Sequence, residues 1–583
     1  MFIKLNLFSL LFVFLFNSFA SASNTATGTN ALASLTTGTS NTAVGSNSLY
    51  SNTSGSTNTA TGSNSLYSNT SGGGNVANGI HSMYSNTTGS ANTAVGSYSL
   101  SSNTTAYDNT AIGNATLQAN TTGGNNTAVG SNSLYSNTTG YHNTAVGHRS
   151  LSANTTGYEN TAVGQNSLNS NTTGIKNTAI GQDSMRSNTT GQYNTAVGHD
   201  SLVFNTTGEE NTAVGKNSME NNTTGSYNTA VGNNSLEFNT TGYNNVAVGR
   251  AALENNTTGY ENTAVGRNSL EENTTGNLNT AVGHNSLEEN TTGYQNTALG
   301  NDTLQENTTG YQNTAIGQDA LEANTTGYRN SSIGAYSLTD NTTGYSNTAN
   351  GFASMYENTT GYENTASGRG SLANNTTGST NTAIGFFSML YSTTGTSNTV
   401  VGHESLKNNT IGSQNTVFGK QAGYSNLTGS GNVFLGYQAG YNETGSNKLY
   451  IDNSNTSTPL IHGDFDADKV TINGDMTVTG ALKANSVTFV GEVNVPNPKS
   501  SSNAANKGYV DTMGAISMAM ASATVTNKGD GSYIGVGTGV VEGEGAIAAG
   551  FAYQKENKFV NVSLSYHRLM SNPVISTGIG WKF

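Results

Sequence analysis

The sequence predicts an all-β repeat protein whose main part is a parallel β-roll or solenoid. Twenty-five copies of a 17-residue unit run from Asn24 to about Ser446, and each begins with Asn and has Gly four residues later. Leu or Met occupies the ninth position of the first twenty-three units, from Leu32 to Leu406. No proline interrupts the repeats. An unbroken period of this kind indicates that each unit is one equal structural step, a coil of the solenoid.

Composition narrows the class of protein. Of 583 residues only 33% are hydrophobic and 9% are charged, while 72 are glycine. A chain of this length usually forms several globular domains, but this composition cannot build a large conventional hydrophobic core. The regular Leu argues against disorder, which needs no fixed apolar position. The chain has no Cys, which removes disulfides and thiolate metal sites, and its net charge of −13 argues against a nucleic-acid partner.

The first residues predict a secretory signal peptide. Lys4 precedes an apolar run from Leu5 to Phe16, and Ala20-Ser21-Ala22 has the small-residue pattern of a cleavage site. The apolar run is short for a membrane-spanning helix. We therefore expect residues 1–22 to be removed and the mature chain to start near Ser23.

One unit predicts two or three short strands joined by tight turns. Thr127-Ala-Val-Gly130 alternates like a strand, a second segment around Ser133 and Leu134 returns, and Asn137-Thr-Thr-Gly140 has turn chemistry. Coils stacked about 4.8 Å apart would form a rod of roughly 120 Å over residues 23–448, called the head below. We expect one Val and one Leu per coil in a thin core, with Ala or Leu also meeting copies on neighbouring chains.

The Asn that opens each unit predicts a ladder that satisfies backbone groups at a corner of the coil. Variable residues are expected to face outward, and the glutamates of the tenth position predict a solvated acidic file: Glu220, Glu237, Glu254, Glu271 and Glu288. Tyr recurs at the sixteenth position, as a candidate surface-binding stripe or as rings that stack on one another. Its members are Tyr107, Tyr141, Tyr158, Tyr243, Tyr260, Tyr294, Tyr311, Tyr328, Tyr345 and Tyr362.

Residues 449–503 differ in composition and predict a connector or neck. Short strands are expected near Leu449 and Val470, and Pro496, Pro498 and a Ser run indicate a boundary. Asp464, Asp466 and Asp468 have the spacing of a Ca²⁺ loop. Lys469 stands where that loop needs Gly, and its strong Glu ligand is missing, so the sequence does not favour a cation site.

The last eighty residues predict a slim helix followed by four strands. Apolar residues from Tyr509 through Met513, Ile516 and Met520 are spaced by four and three, as in a coiled-coil seam. Segments 532–540, 545–554, 558–567 and 573–583 alternate, and each is close to the ~9–11 residues of a membrane-crossing strand.

Alternation sets an apolar face of these strands against a face rich in small residues. Ile534, Val536, Phe551, Val562 and Ile579 belong to the apolar set. The opposite face carries the glycines expected to leave room for helices in a barrel lumen: Gly535, Gly537, Gly539, Gly578 and Gly580. Four strands cannot close a membrane barrel, whereas three chains would supply twelve.

Taken together, these features resemble the YadA-like trimeric autotransporter adhesins. The resemblance rests on the signal peptide, the Asn-Thr-Ala-Val-Gly repeats, the neck sequence from Ala504 to Asp511, and the anchor from Ser532 to Trp581-Lys-Phe583. It covers nearly the whole chain.

The resemblance implies a homotrimer with three parts: a β-roll head, a neck of residues 449–503, and an anchor of residues 504–583 with a coiled-coil helix and a shared twelve-stranded barrel. Phe583 would be the sorting signal for the barrel-assembly machinery of the outer membrane. The head would be exported through its own barrel to the cell surface. It would attach to host cells, matrix, other cells or surfaces through an unknown receptor, without a cofactor.

Other functions remain open from the sequence. The Thr and Asn lattice is compatible with an ice-binding surface, and a structural biofilm or coat fibre leaves no distinguishing motif. A phage tail-fibre origin fits the repeats and the neck but needs neither signal peptide nor barrel. No Ser/His/Asp arrangement, metal-ligand cluster or carboxylate pair stands out, so the sequence does not predict an enzyme.

Overall fold

The computed structural model describes residues 23–488 and 490, together with four strands between residues 531 and 581. These parts contain β-strands and turns and no α-helix. They form two compact units, divided between Met476 and Thr477. The predicted signal peptide, the coiled-coil helix from Tyr509 and the sorting residue Phe583 lie outside the described residues.

Twenty-eight strands form the sheet of the first unit and four form the sheet of the second. Their bounds are β1 Thr25–Thr27, β2 Thr42–Val44, β3 Thr59–Thr61, β4 Val76–Asn78, β5 Thr93–Val95, β6 Thr110–Ile112, β7 Thr127–Val129, β8 Thr144–Val146, β9 Thr161–Val163, β10 Thr178–Ile180, β11 Thr195–Val197, β12 Thr212–Val214, β13 Thr229–Val231, β14 Val246–Val248, β15 Thr263–Val265, β16 Thr280–Val282, β17 Thr297–Leu299, β18 Thr314–Ile316, β19 Ser331–Ile333, β20 Thr348–Asn350, β21 Thr365–Ser367, β22 Thr382–Ile384, β23 Thr399–Val401, β24 Thr416–Phe418, β25 Val433–Leu435, β26 Lys448–Ile451, β27 Ile461–Asp464, β28 Lys469–Ile472, β29 Gly531–Val541, β30 Glu544–Lys555, β31 Lys558–His567 and β32 Val574–Trp581.

The first unit is a parallel β-solenoid, which confirms the predicted fold of the head. Each coil contributes one three-residue strand, and the strand pairs with its copy seventeen residues later, as Thr144 pairs with Thr161. The expectation of two or three strands per coil is wrong. In the returning segment Arg149 and Leu151 have φ of 58° and 51°, and these left-handed residues interrupt any extended run. Coils still bond there, since the Leu151 N–H donates to the Ser167 carbonyl at 3.0 Å.

The core is made of Ala and Leu rather than Val and Leu. Ala145 and Leu151 are fully buried, whereas the fourth-position residue faces outward, with Ile180 41% exposed. Alternation along a strand puts the two side chains on opposite faces but does not say which face is inside. The returning segment brings its Leu against the strand, and in most coils the small Ala fills the space left at the third position, although Val400 is buried there in the coil of Leu406. The same burial removes the expected contacts of Ala or Leu with neighbouring chains.

The buried Leu is held in a backbone conformation that side chains disfavour. A left-handed residue costs about 1–2 kcal/mol, while burial of a Leu side chain contributes about 1.5–3 kcal/mol. Burial of the Leu side chain therefore outweighs the strain of its own backbone conformation. The periodic Leu or Met is thus explained by core volume and not by backbone preference.

Two Asn ladders run through the solenoid and confirm the predicted role of the opening Asn. Asn143 Oδ1 accepts the N–H of Asn160 at 3.0 Å, and its Nδ2 donates to the Gly157 carbonyl at 2.9 Å. Asn154, at the twelfth position, donates to the same carbonyl at 3.0 Å and to Asn137 Oδ1 at 2.7 Å. All of these Asn side chains are buried. They supply hydrogen-bond partners to backbone N–H and carbonyl groups of the turns, which would otherwise be buried without a partner.

The corner glycines are required by the close approach of neighbouring coils. A Cβ on Gly157 would collide with Asn154 Oδ1 and with the carbonyl of Gly174 in the next coil. Gly147 has φ of 134°, and a Cβ there would meet the Gly164 carbonyl. The corner of Gly147, with its positive φ, is Gly in every coil, whereas the corner of Gly157 also accepts Ala106 in one coil.

The C-terminal coils change their filling and then end. At the third position Phe434 replaces Ala and is fully buried, and its ring occupies the space that side chains at Gly423 and Gly440 would need. The last coil is one residue shorter than the others, because Val433 pairs with Leu449, sixteen residues later. β26 continues the parallel sheet, and β27 and β28 then pair antiparallel, so they cover its last strand.

The second unit contains the four predicted C-terminal strands as an antiparallel meander in the order β29-β30-β31-β32. Residues opposite each other in such a ladder share a face of the sheet. Ile534 pairs with Phe551, Phe551 with Val562, and Val562 with Thr577, so the predicted apolar set shares one face.

We expect the substitution Asn143→Ala to lower local stability by about 1–3 kcal/mol, because it leaves the buried N–H of Asn160 without its acceptor. Native-state hydrogen exchange measures this in the flanking coils. The control is Asn114→Ala, since Asn114 is exposed and its amide lies 3.5 Å from its nearest acceptor. Equal effects of the two substitutions would contradict the structural role of the ladder.

Candidate functional site

Every outward position of the coil becomes a file of side chains along the rod, because successive coils are in register. The two prominent files are at the tenth and sixteenth positions. We call the file at the sixteenth position the Tyr ridge and the file at the tenth position the acidic file, after the residues that dominate their central parts.

The structure brings most of the predicted tyrosines together by stacking. Five consecutive rings, from Tyr294 to Tyr362, form four stacked pairs with centroids 4.9–5.0 Å apart and planes within 4°. Two separate pairs of stacked rings belong to the same file: Tyr141 with Tyr158 at 4.8 Å, and Tyr243 with Tyr260 at 5.0 Å. Tyr107 stands apart from these pairs, since Gly124 occupies the next coil and the Tyr107 ring leans over it.

Stacking decides what the ridge offers to a partner. Inside a run both faces of each ring are covered by its neighbours, and only ring edges and hydroxyl groups reach solvent. Tyr294 and Tyr362, at the ends of the run, are 39% and 38% exposed. A flat ligand can therefore stack on a tyrosine only where a run ends.

A second set of stacked tyrosines was missed by the sequence reasoning. Tyr50, Tyr67 and Tyr84 stack at 5.1 Å, and Tyr424 stacks on Tyr441 at 5.0 Å. These residues occupy the tenth position, in coils on either side of the glutamates. Their spacing of seventeen residues was the signal that could have identified them.

The acidic file places negatively charged carboxylates one above another on successive coils. Burial raises the pKa of Glu237, and the carboxylates of Glu254 and Glu220 raise it further. Burial also raises the pKa of Glu220 and Glu271, with acidic neighbours as the next cause in both. Glu237 Oε2 is buried and has no hydrogen-bond partner among the described residues. The file thus stores electrostatic repulsion at neutral pH.

Open notches occur where a Ser occupies the same position as a tyrosine of the neighbouring coil. One, of about 520 Å³, is lined by Thr224, Ser226, Tyr227, Thr241, Tyr243 and Asn244. Another, of about 360 Å³, is lined by Asn132, Tyr135, Arg149, Ser152 and Asn169. In both, a small residue next to a tyrosine in its file leaves one face of that ring uncovered.

The outward face of the solenoid strands has no charge. We call the second and fourth positions of the coils, which flank the buried Ala, the strand face. From β5 to β18 it carries Thr at the second position, except Val246, and Val, Ile or Leu at the fourth. None of the twenty-five coils has a charged residue at either position. This face differs sharply from the tenth and sixteenth positions.

The predicted anchor glycines lie on one face of the second sheet. Gly535, Gly537 and Gly539 are at alternate positions of β29 and pair with Gly550, Ala548 and Ala546. Gly578 and Gly580 of β32 pair with Asn561 and Phe559. Following the ladder through β30 and β31 shows that both groups share the face opposite the apolar set.

In the described part of the chain, no group of three or more His, Cys, Asp or Glu residues could hold a metal ion. Asp464, the first residue of the Ca²⁺-like spacing, is paired with Lys448 at 2.7 Å, and this hydrogen bond lowers the pKa of Asp464. Among the described residues no helix is long and apolar enough to cross a membrane.

No protein-family model matches the chain, and neither a curated protein nor a solved structure shows significant similarity to it. The function is therefore argued from the geometry of the chain.

We expect the head to become more stable as the pH falls, because the folded chain binds the protons of the acidic file more tightly than the unfolded chain does. The free energy of unfolding gained in this way rises as the pH drops through the raised folded pKa values and is complete below the unfolded value. Glu237→Gln should therefore raise the melting temperature at neutral pH but not at about pH 3, where the Glu side chain is protonated in both the folded and the unfolded chain.

The matched control is Glu261→Gln, which removes an exposed carboxylate from the seventeenth position. Thermal unfolding followed by circular dichroism at both pH values measures the difference. A gain for Glu237→Gln that is the same at both pH values would mean that packing, not charge, explains it.

Proposed function

We propose that the chain is a subunit of a homotrimeric surface adhesin. In this proposal the second sheet anchors the protein in an outer membrane, and the rod is displayed at the cell surface to attach to host cells, matrix, other cells or surfaces. The observation that carries it is the four-stranded sheet of the second unit, with its single apolar face.

The strand lengths and the register support a membrane anchor. The strands have 11, 12, 10 and 8 residues, near the ~9–11 that cross an outer membrane. The apolar set lies on one face, as lipid contact requires, and the glycines lie on the other. β29 and β32 are edge strands in one chain, and an open edge is prohibitive in lipid. Three chains joined through these edges would give a closed sheet of twelve strands.

The strand face of the head supports association of the same three chains. A parallel rod of twenty-five coils presents a strip of roughly 120 Å by 10 Å, or about 1,200 Å². A stable interface needs about 800 Å² from each partner, and in a trimer the strip would be shared between two neighbours, with about 600 Å² for each. An uncharged strip of Thr and branched apolar residues beside charged files has the composition of an interface core. A second copy of the chain, in the same register, is the occupant that suits it.

The charge distribution supports the outward display of the other files. Glutamates, tyrosines and the two notches all lie at positions away from the strand face. Trimer formation through the strand face would leave them accessible, so each adhesive element would occur three times around the rod. Repetition of weak contacts in this way raises the overall affinity without any strong single site.

We expect the full chain, expressed in a Gram-negative host, to migrate as a trimer in an unheated gel and as a monomer after boiling. Protease added to intact cells should remove the head and abolish attachment to cultured cells or glass, while leaving the anchor in the membrane. The control is the same culture carrying a chain that lacks residues 531–583. A soluble or periplasmic monomer would contradict the proposal, and display without attachment would favour a structural coat fibre.

Ice binding is a second candidate, favoured by the regularity of the strand face. Fourteen successive strands, β5 to β18, present the same pair of outward positions without a charge or a ring. Tyr and Glu, whose bulky side chains would interrupt such a lattice, lie at other positions of the coil. In this candidate the strand face stays exposed to solvent, whereas in the adhesin it is covered by other copies.

The substitution Val163→Lys separates the two candidates, because it puts a charge in the middle of the strand face. An adhesin should lose trimer stability of the head, seen as a lower dissociation temperature in gels, with no thermal hysteresis before or after the substitution. An ice-binding protein should show thermal hysteresis that falls with Val163→Lys, while its assembly is unchanged. Glu261→Lys, on the exposed seventeenth position, is the charge-matched control for both measurements.

A further inference from the structure

We propose that the notch beside Ser226 binds one pyranose ring of a glycan between Tyr227 and Tyr243. The inference rests on the adhesive function proposed above and gives it a ligand class and a position on the rod. It follows from the position of Ser226 in the Tyr ridge, directly before the stacked pair of Tyr243 and Tyr260.

The notch exists because a run of stacked rings begins here. On one side the Tyr243 ring is covered by Tyr260, with centroids 5.0 Å apart and planes at 2°. On the other side the preceding coil carries Ser226 at the same position, so the second face of Tyr243 is open. Tyr227 follows Ser226 at the seventeenth position and is 52% exposed, and together these residues border a space of about 520 Å³. That volume lies within the range of small-molecule sites.

The lining is aromatic and polar, and it carries no charge. The Thr224, Thr241 and Asn244 side chains are exposed around the notch and have no hydrogen-bond partner for their hydroxyl and amide groups among the described residues. A pyranose has a face of axial C–H groups that packs against an aromatic ring, and a rim of hydroxyls that bonds to neutral donors and acceptors. A phosphate or carboxylate would find no cation in the lining. The chemistry therefore favours a neutral sugar.

The backbone around the notch is fixed before any ligand arrives. Ser226 Oγ accepts the Glu209 N–H at 3.1 Å, and the Tyr227 N–H donates to the Glu209 carbonyl at 3.0 Å. The Asn244 N–H donates to the Ser226 carbonyl at 3.1 Å. These bonds connect three successive coils, so binding orders little that is not already ordered. A pre-organised shallow site can hold a single sugar with weak but useful affinity.

Other tyrosines of the rod illustrate why this position is special. Tyr311 has rings on both sides, with centroids 5.0 Å and 4.9 Å away, and offers no open face. Tyr193 occupies the seventeenth position like Tyr227, but the Lys176 ammonium lies 5.3 Å from its ring centroid. In the notch, an open Tyr243 face and a second ring occur together.

The test uses the detergent-solubilised full chain and three β-linked disaccharides: lactose, cellobiose and N,N′-diacetylchitobiose. Saturation-transfer NMR detects binding, and titration gives Kd. The variant Ser226→Tyr extends the run of stacked rings into the notch, as Tyr does in other coils, so it closes the site while adding an aromatic residue. We expect it to weaken binding of the preferred sugar by about tenfold or more. Tyr311→Phe, which changes a residue in the middle of a run without opening a ring face, should leave Kd unchanged.

Binding of none of the three sugars overturns the inference, as does a Kd that Ser226→Tyr leaves unchanged. A Kd raised more by Tyr311→Phe than by Ser226→Tyr would overturn it as well. Trimer mobility and protease accessibility of the same variants on cells are measured separately. Displayed trimers that attach but bind no sugar would contradict sugar binding at the notch and support the adhesin. Sugar binding by a chain that is never displayed would contradict the adhesin and support sugar binding at the notch.

Discussion

The register between coils is the constraint on which the rest of the structure depends. Each strand is only three residues long, too short to hold two coils together by ladder bonds alone. Backbone bonds outside the strands, such as that from the Leu151 N–H to the Ser167 carbonyl, and the two Asn ladders supply the rest. Each buried amide of the ladders bonds to the coil before or after it and also to a turn of its own coil. They hold coil upon coil at one spacing and forbid insertions, since one extra residue would displace an amide from its partners.

The thinness of the core explains why so much depends on hydrogen bonds. A coil buries one Leu or Met and one Ala, far less apolar area than a globular domain of the same length. Stability must then come from many equal interfaces between neighbouring coils rather than from one centre. The last coils fill the core with a different residue, because the buried Phe434 ring occupies the space left where glycines replace Leu.

The same fixed spacing has opposite chemical consequences on different files. Aromatic rings set about 5 Å apart stack and stabilise one another, whereas carboxylates at the same spacing repel and their pKa values rise. Uniform runs therefore hide ring faces or store charge repulsion. Distinct local surfaces arise where a run begins or ends, as the stacked pair of Tyr243 and Tyr260 begins beside Ser226. The ends of the runs therefore differ more from one another than the repeats do.

The sequence by itself determined the period, the coil as the structural step, the buried Leu, the Asn ladder and the four C-terminal strands. Each of these follows from spacing or from a local preference, and both can be read along the chain. The tertiary structure alone decided that Ala and not Val faces inward, because alternation gives two faces without saying which the returning segment covers. It also decided that most ring faces of the Tyr ridge are hidden, since stacking depends on the distance between residues seventeen apart in sequence, which only the closed coil sets.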